Sequence, residues 1–495
     1  MEYQAFNVLA YYYHRHKKIV WLLGSCLVVF FILGKIVFPH PNFMPDSYAY
    51  LEAARRNPAI DTWPIGYSMF LRIQSVFTRN DVVLVAIQYF FLQGCTLYFL
   101  FGLAHLLQMN RKLLYVLAFA FVVNPAAFLI SNYVAADALF TGLSLLWVCL
   151  LLQLMVQPKA KLLWMHAVLL LVLFTIRYNA LYYPVIALLV IAIAKLPWRT
   201  RLKGAGLLLL LLGVFVLHNK YEYKQLTGTA QFSPFGGYML GGNALFMYSR
   251  LPKDTTSPPL RFAEMQKLVD RHMDSLRTAK KRPDSTMGIY YIWNGPQLKY
   301  AREKYSKDST TSSFKRWATM APFFQDYAMY LIKKHPAAYL RYFMLPNAGY
   351  YFAPPAEFLN IYNQGSDSVG REAKEWFGYK NRYVKSLVKT TIIAEYLTVI
   401  NTLFNIIFGG CLLVWLAIKG LSYSPLAFKK ALLLVLLLVV GNWLFSVTLA
   451  PIVFRYQLLF FILTITFGCL LVSKVWQLGK MEANISNAGR QWQAA

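Results

Sequence analysis

Apolar residues fall in long, nearly uninterrupted runs along most of this chain, with charged positions confined to the gaps between them. Crossing ~30 Å of hydrocarbon takes about 20 mostly apolar residues in a helix. Ten runs approach that length, at roughly 19–38, 82–107, 113–131, 134–156, 162–176, 180–196, 204–218, 391–418, 431–450 and 455–473. The fifth is short. The pattern predicts an all-α polytopic membrane protein of about ten transmembrane helices. The first run is too long for a cleaved signal peptide, has no small-residue cleavage site and carries Lys35 near its far end. It reads as a retained span.

Composition supports this picture. Hydrophobic residues make up 58% and charged residues only 14%, against about 25% charged in a typical soluble domain. The mean hydropathy is +0.42. The 50 Lys and Arg outnumber the 21 Asp and Glu, a net charge of +29. A nucleic-acid binder this basic should lack long apolar runs, so nucleic acid is excluded as a partner. The basic excess becomes a matter of topology, because Lys and Arg accumulate in short cytoplasmic loops. With the N-terminus inside, the inner segments carry 17 basic residues, from Arg15, Lys17 and Lys18 to Lys474, Lys480 and Arg490. They carry only two acidic ones, Glu2 and Glu482. Both termini are therefore expected in the cytoplasm, with the chain in the cell (inner or plasma) membrane.

Residues 219–390 break the pattern. This segment contains no run long enough to span and carries 26 basic and 13 acidic residues. It is expected as a mixed extracytoplasmic domain between a transmembrane module at 1–218, with its first outer loop at 39–81, and C-terminal spans and tail at 391–495. Its stretch from Gln325 to Pro355 reads as an interfacial amphipathic helix broken by Pro336 and Pro346. The five cysteines, Cys26, Cys95, Cys149, Cys411 and Cys469, all lie in spans, which argues against a disulfide framework.

The candidate chemistry collects at one membrane level. The first outer loop reads as a strand or turn ending at Pro45, after which Asp46 caps a helix whose apolar face holds Tyr50, Ala53 and Ala54. A second helix follows Trp63-Pro64-Ile65-Gly66 and runs to about Phe77. Asp137 stands at the outer start of the fourth span. A helix-start acid is favoured by the helix dipole whatever its function. Arg177-Tyr178-Asn179 closes the fifth span, and Arg455-Tyr456 opens the tenth. Either Arg alone could snorkel to headgroups, and either Tyr could belong to an aromatic belt. Together with two acids they suggest one cleft, in which two guanidinium groups hold a phosphate bidentately. The glycine-rich stretch Ser233–Asn243 matches no phosphate-binding loop and reads as a flexible loop near the cleft. His40 and His218 fall on the same side and are candidates for holding a divalent metal ion, although lone histidines are more often structural.

With these residues in place, the chain resembles the integral-membrane GT-C glycosyltransferases. It is most similar to the bacterial group containing protein mannosyltransferases and the aminoarabinose transferase of lipid A. The resemblance is carried by Asp46-Ser-Tyr48-Ala-Tyr50-Leu-Glu52, Trp63-Pro64-Ile-Gly66-Tyr67, Asp137, Arg177-Tyr178-Asn179 and Arg455-Tyr456. It covers 1–220 well and 391–475 loosely. Many relatives have two adjacent acids in the first loop, where this chain has Asp46-Ser47. The resemblance implies inverting transfer of a sugar from a polyprenyl-phosphate donor to an envelope lipid, glycan or protein acceptor, outside the cytoplasm and among membrane lipids. It implies Asp46 as general base, with Asp137 orienting the acceptor, binding a metal or holding an arginine. Arg177, Tyr178, Asn179, Arg455, Tyr456, Tyr48 and Glu52 would bind the donor phosphate and sugar.

Two other classes fit a polytopic chain. A transporter or flippase for a lipid-linked or anionic substrate should show inverted repeats, broken spans and midplane acids. Here no repeat is evident and the polar groups crowd at one surface. A non-catalytic assembly protein for envelope polysaccharide would tolerate Asp46→Asn.

Overall fold

The computed structural model describes residues 16–253, 256–279, 288–305, 311–449 and 452–494. Glu2, Arg15 and Pro451 from the sequence reading lie outside them. Among the described residues the chain is helical, with isolated β-bridges and no strand.

Eight helices are long and apolar enough to cross a membrane. They are α1 (Lys17–Val37), α4 (Asp81–Leu107), α5 with α6 (Arg111–Val122 and Pro125–Ser131), α7 (Asp137–Val156), α10 (Trp198–Thr227), α18 (Ile393–Ala417), α19 (Leu426–Leu449) and the first part of α20 (Leu458–Ala494). The protein is thus a polytopic membrane protein. The expected fifth and sixth spans appear as shorter apolar helices, α8 (Lys161–Ile176) and α9 (Tyr183–Ile193). Sixteen residues of α-helix rise about 24 Å, less than the ~30 Å hydrocarbon core. The expected seventh span begins earlier and continues to Thr227, past the boundary drawn at 218.

The helices at the rim show why the bundle needs lipid. α1, α10 and α18 leave Trp21, Ile32, Leu209, Leu210, Ile406 and Leu413 more than half exposed. Contiguous apolar surface on this scale is not tolerated in water. α7 and α20 form the enclosed centre, and α7 packs on α4, α8, α19 and α20. All five cysteines are free thiols.

The loop between α1 and α4 forms α2 (Pro45–Arg56) and α3 (Gly66–Phe77), which pack together. Tyr50, Ala53 and Ala54 are buried, as the pattern of α2 required. Ahead of α2, a short parallel bridge joins Asn42 to Tyr133. Asn42 N–H donates to Asn132 O at 2.6 Å, and Val134 N–H donates to Asn42 O at 3.1 Å. Four residues beyond each bridge partner come Asp46 and Asp137. The bridge therefore delivers the two acids side by side at the heads of α2 and α7.

The segment after α10 folds at this same end of the bundle and is helical, where a mixed domain was expected. It contains α11 (Phe235–Tyr248), α12 (Ala263–Thr278), α13 (Gly288–Trp293), α14 (Pro296–Lys304), α15 (Ser313–Lys334), α16 (Leu345–Phe352) and α17 (Arg371–Phe377). Its own core is largely aromatic, with Tyr238, Phe262, Tyr291, Phe324 and Tyr327 buried. The break at Pro336 occurs as expected. Pro346 does not end the helical run: a π-turn at Leu340–Met344 precedes it and α16 continues.

The glycine-rich stretch is not a flexible loop. It forms α11, which packs closely on α15. A Cβ at Gly237 would collide with the backbone carbonyl of Ala321, whereas one at Gly236 would meet nothing within 4 Å. Gly237→Ala should therefore destabilise the protein by about 1–3 kcal/mol through overpacking. Gly236→Ala should be neutral or slightly stabilising, as alanine is the better helix former. Thermal unfolding of the two detergent-solubilised variants checks this, and equal stabilities would refute the close-packing account.

Candidate functional site

The two acids and two arginines singled out in the sequence meet at the end of the bundle that carries the segment after α10. Asp137 is 3% exposed and Arg455 is 6% exposed. Arg455 Nη1 lies 3.2 Å from Asp137 Oδ2, and its Nη2 lies 3.5 Å from Asp46 Oδ2. Arg177 Nη1 pairs with the other Asp137 oxygen, Oδ1. The result is a chain, Asp46–Arg455–Asp137–Arg177, drawn from four separate stretches of sequence.

Each member is placed by a local device. Asp46 does not cap α2, contrary to expectation. The N-cap is Met44, whose N–H donates to Ser47 Oγ at 3.0 Å, so Ser47 satisfies the helix start. Asp46 sits in the first turn with its carboxylate free for Arg455. Asp137 opens α7 next to its N-cap Ala136 and makes no capping bond. Arg177 leaves α8 in extended conformation, and a 3₁₀ turn over Tyr178–Tyr182 follows it. Arg455 lies in another 3₁₀ turn, Phe454–Gln457, which leads into α20.

Tyr456 knits the two cations together. Its ring lies 4.5 Å from both guanidinium carbons, and Arg455 Nη2 donates to its hydroxyl at 2.6 Å. Cation–π contacts of this kind gain strength when water is excluded. Arg455 Nη1 also contacts Met44 Sδ at 3.1 Å. Asn179 joins Asp137, Arg177, Arg455 and Tyr456 in lining a cavity of about 10 Å³. That volume holds about one water and is too small for a sugar. Burial raises the Asp46 carboxyl above its usual range, partly offset by the nearby Arg455 guanidinium.

Three expected members lie elsewhere. Tyr178 packs edge-on against Phe232. Tyr48 stacks on Phe43 and abuts Gly370 of the segment after α10. Glu52 pairs with Arg55 at 2.8 Å and Arg56 at 3.2 Å. It lines a separate cleft of about 330 Å³ between α2, α3 and α17, together with Arg72, Arg79 and Trp376. Six positions along a helix turn a side chain well away from Asp46, which accounts for the separation.

The histidines do not meet either. His40 pairs with Asp81 at 3.2 Å, and Tyr379 donates to the same carboxylate at 2.6 Å. His218 faces Glu222 at 4.0 Å. Among the described residues no three His, Cys, Asp or Glu side chains gather to hold a metal ion. Asp46 and Asp137 are engaged by arginine, so the donor set does not fit a metal.

The segment after α10 supplies parts that sequence reasoning missed. Phe454 N–H donates to Pro355 O at 2.9 Å, and Tyr133 O–H donates to Phe358 O. The Phe358 ring lies 5.5 Å from the Arg455 guanidinium. Glu357, between these anchors, feels the Arg455 charge. An acid after the Pro354-Pro355 pair was the available signal.

No family model, curated protein or solved structure matches the chain. The family resemblance rests on the residues themselves.

Proposed function

We propose that the protein is a membrane glycosyltransferase that moves a sugar from a polyprenyl-phosphate donor to an envelope lipid, glycan or protein acceptor, with inversion. The observation that carries this reading is the convergence of Asp46, Asp137, Arg177 and Arg455 at one end of the bundle. In this reading both termini are cytoplasmic and that end faces outward in the inner or plasma membrane. The donor's lipid tail lies along the apolar helices, and its phosphate reaches the helix ends.

The roles follow from the charges. Arg177 and Arg455 face the phosphate, which becomes more negative as the sugar departs, and so stabilise the transition state. Asp137, bonded to both arginines, fixes their positions. The incoming phosphate competes for Arg455, whose contact with Asp46 at 3.5 Å is the longest of the three ion pairs. Asp46 is then free to accept the acceptor's hydroxyl proton. The acceptor oxygen bonds to the anomeric carbon, the carbon–oxygen bond to phosphate breaks, and its electron pair leaves on the phosphate. Purified protein incubated with a panel of radiolabelled polyprenyl-phosphate sugars and envelope acceptors tests the reaction class. Transfer from none of the donors would count heavily against it.

A pH profile checks the base. Asp46 must be ionised to act, so the rate falls as pH drops through its raised pKa. The acid limb of kcat/KM should lie above about 4, the range of an unperturbed aspartate. A rate that stays flat below that range would exclude Asp46 as the base.

A further inference from the structure

Glu357 stands apart from the other carboxylates of the site. Asp46 and Asp137 each have an arginine partner, whereas Glu357 Oε2 is buried with no hydrogen-bond partner. It does not reach ion-pair distance of Arg455, yet it lies close enough to feel that charge. Its position is enforced from both sides. Pro355 accepts a bond from Phe454, next to Arg455, and Phe358 accepts one from Tyr133 of the bridge that aligns the acids. Phe358 itself has φ +66°, a left-handed conformation that a bulky residue adopts only under constraint. Such strain persists where the surroundings over-determine it, and it clusters at working sites.

Electrostatic balance then poses a problem. Arg455 is shared by three carboxyl groups, paired with Asp46 and Asp137 and felt at longer range by Glu357, while Arg177 pairs with Asp137. With all of them ionised, the site is already one negative charge in excess before a phosphate arrives. A buried excess of like charge opposes an anionic ligand strongly.

We infer that Glu357 carries the proton that lets the site accept a phosphate: a lipid phosphodiester binds together with one proton, taken up at the Glu357 carboxylate. This inference rests on the transferase reading. The balance is simple. A carboxylate, a proton and a phosphodiester anion become a carboxylic acid beside a bound anion, with no bond made or broken in the ligand. Burial already raises the Glu357 carboxyl above its usual range, with the Arg455 guanidinium opposing. A phosphate that shares Arg455 weakens that opposition and raises it further. Asp137 is committed to both arginines. Asp46 also loses Arg455 to the phosphate, but in the transferase reading it stays unprotonated as the base, and the Asp46→Asn variant separates any uptake there from uptake at Glu357.

Calorimetry on the full-length protein in detergent tests this. The probe is a farnesyl methyl phosphodiester, whose single charge does not titrate near neutral pH. Titrations in buffers of different ionisation enthalpy count the protons taken up. Wild type should take up about one proton per ligand, and its affinity should rise up to about tenfold for each pH unit lowered. Glu357→Gln should bind with no proton uptake and a flat pH profile, at an affinity at least equal to wild type at the alkaline end. Asp46→Asn should keep the uptake. Binding by wild type without proton uptake overturns the role of Glu357 and leaves the transferase reading standing, as does uptake that survives in Glu357→Gln. Failure of wild type to bind the probe at all overturns the transferase reading, and this inference with it.

Discussion

Replacing Arg455 with methionine should cost the protein about 3–5 kcal/mol of stability and abolish activity. The cost arises because Arg455 is buried, and it is the ion-pair partner of Asp46 and one of two for Asp137. Removing one side of a buried pair strands the other charge and costs that much, and Asp46, whose side chain stays 21% exposed, places the loss at the lower end of the range. Methionine fills a similar volume, so little of the loss comes from a cavity. Asp137 retains Arg177, and the group left without a cation is Asp46. Adding Asp46→Asn to Arg455→Met should therefore recover part of the stability and none of the activity. Thermal unfolding of wild type, the single variant and the double variant reads this directly. An unchanged melting temperature in Arg455→Met would mean that the ion-pair chain does not organise this end of the bundle.

That chain was only partly legible in the sequence. Asp137, Arg177 and Arg455 stood out together, because each alone has a structural explanation but ionisable groups beside apolar runs are few and these fall at one membrane level. Their mutual bonding was not legible, since it depends on the Asn42–Tyr133 bridge and on the 3₁₀ turn at Phe454–Gln457. The position of Asp46 was read correctly and its local role was not. An Asp after a proline resembles a cap, but Ser47 performs the capping and Asp46 is left to Arg455. Tyr48 and Glu52 share the motif and point elsewhere, because helix geometry turns neighbours in sequence to different faces.

The spans were the most legible feature, as apolar runs in a membrane protein have few alternative uses. The short runs around α8 and α9 were the exception, since they approach the span length without reaching it. The segment after α10 was the least legible. Its aromatic and basic mixture gives no clean period, and a glycine-rich helix such as α11 is indistinguishable from a loop until its partner α15 is in place. Glu357 was hidden for the same reason: only the fold brings it to Arg455.

The second large effect concerns Asp46 itself. Asp46→Asn keeps the shape of the side chain and its capacity to accept a bond from Arg455, but it cannot take a proton. General base catalysis typically contributes about 10²- to 10⁴-fold, and kcat should fall by that factor with little change in KM. A loss in KM alone would instead assign Asp46 to substrate binding.

A paired measurement on this variant separates chemistry at Asp46 from donor binding. Transfer of labelled sugar from a polyprenyl-phosphate donor and binding of the phosphodiester probe would be measured on the same preparations of wild type and Asp46→Asn. Transfer should collapse in the variant while the probe still binds. Transfer by Asp46→Asn at the wild-type rate, with binding intact, would rule out Asp46 as the base.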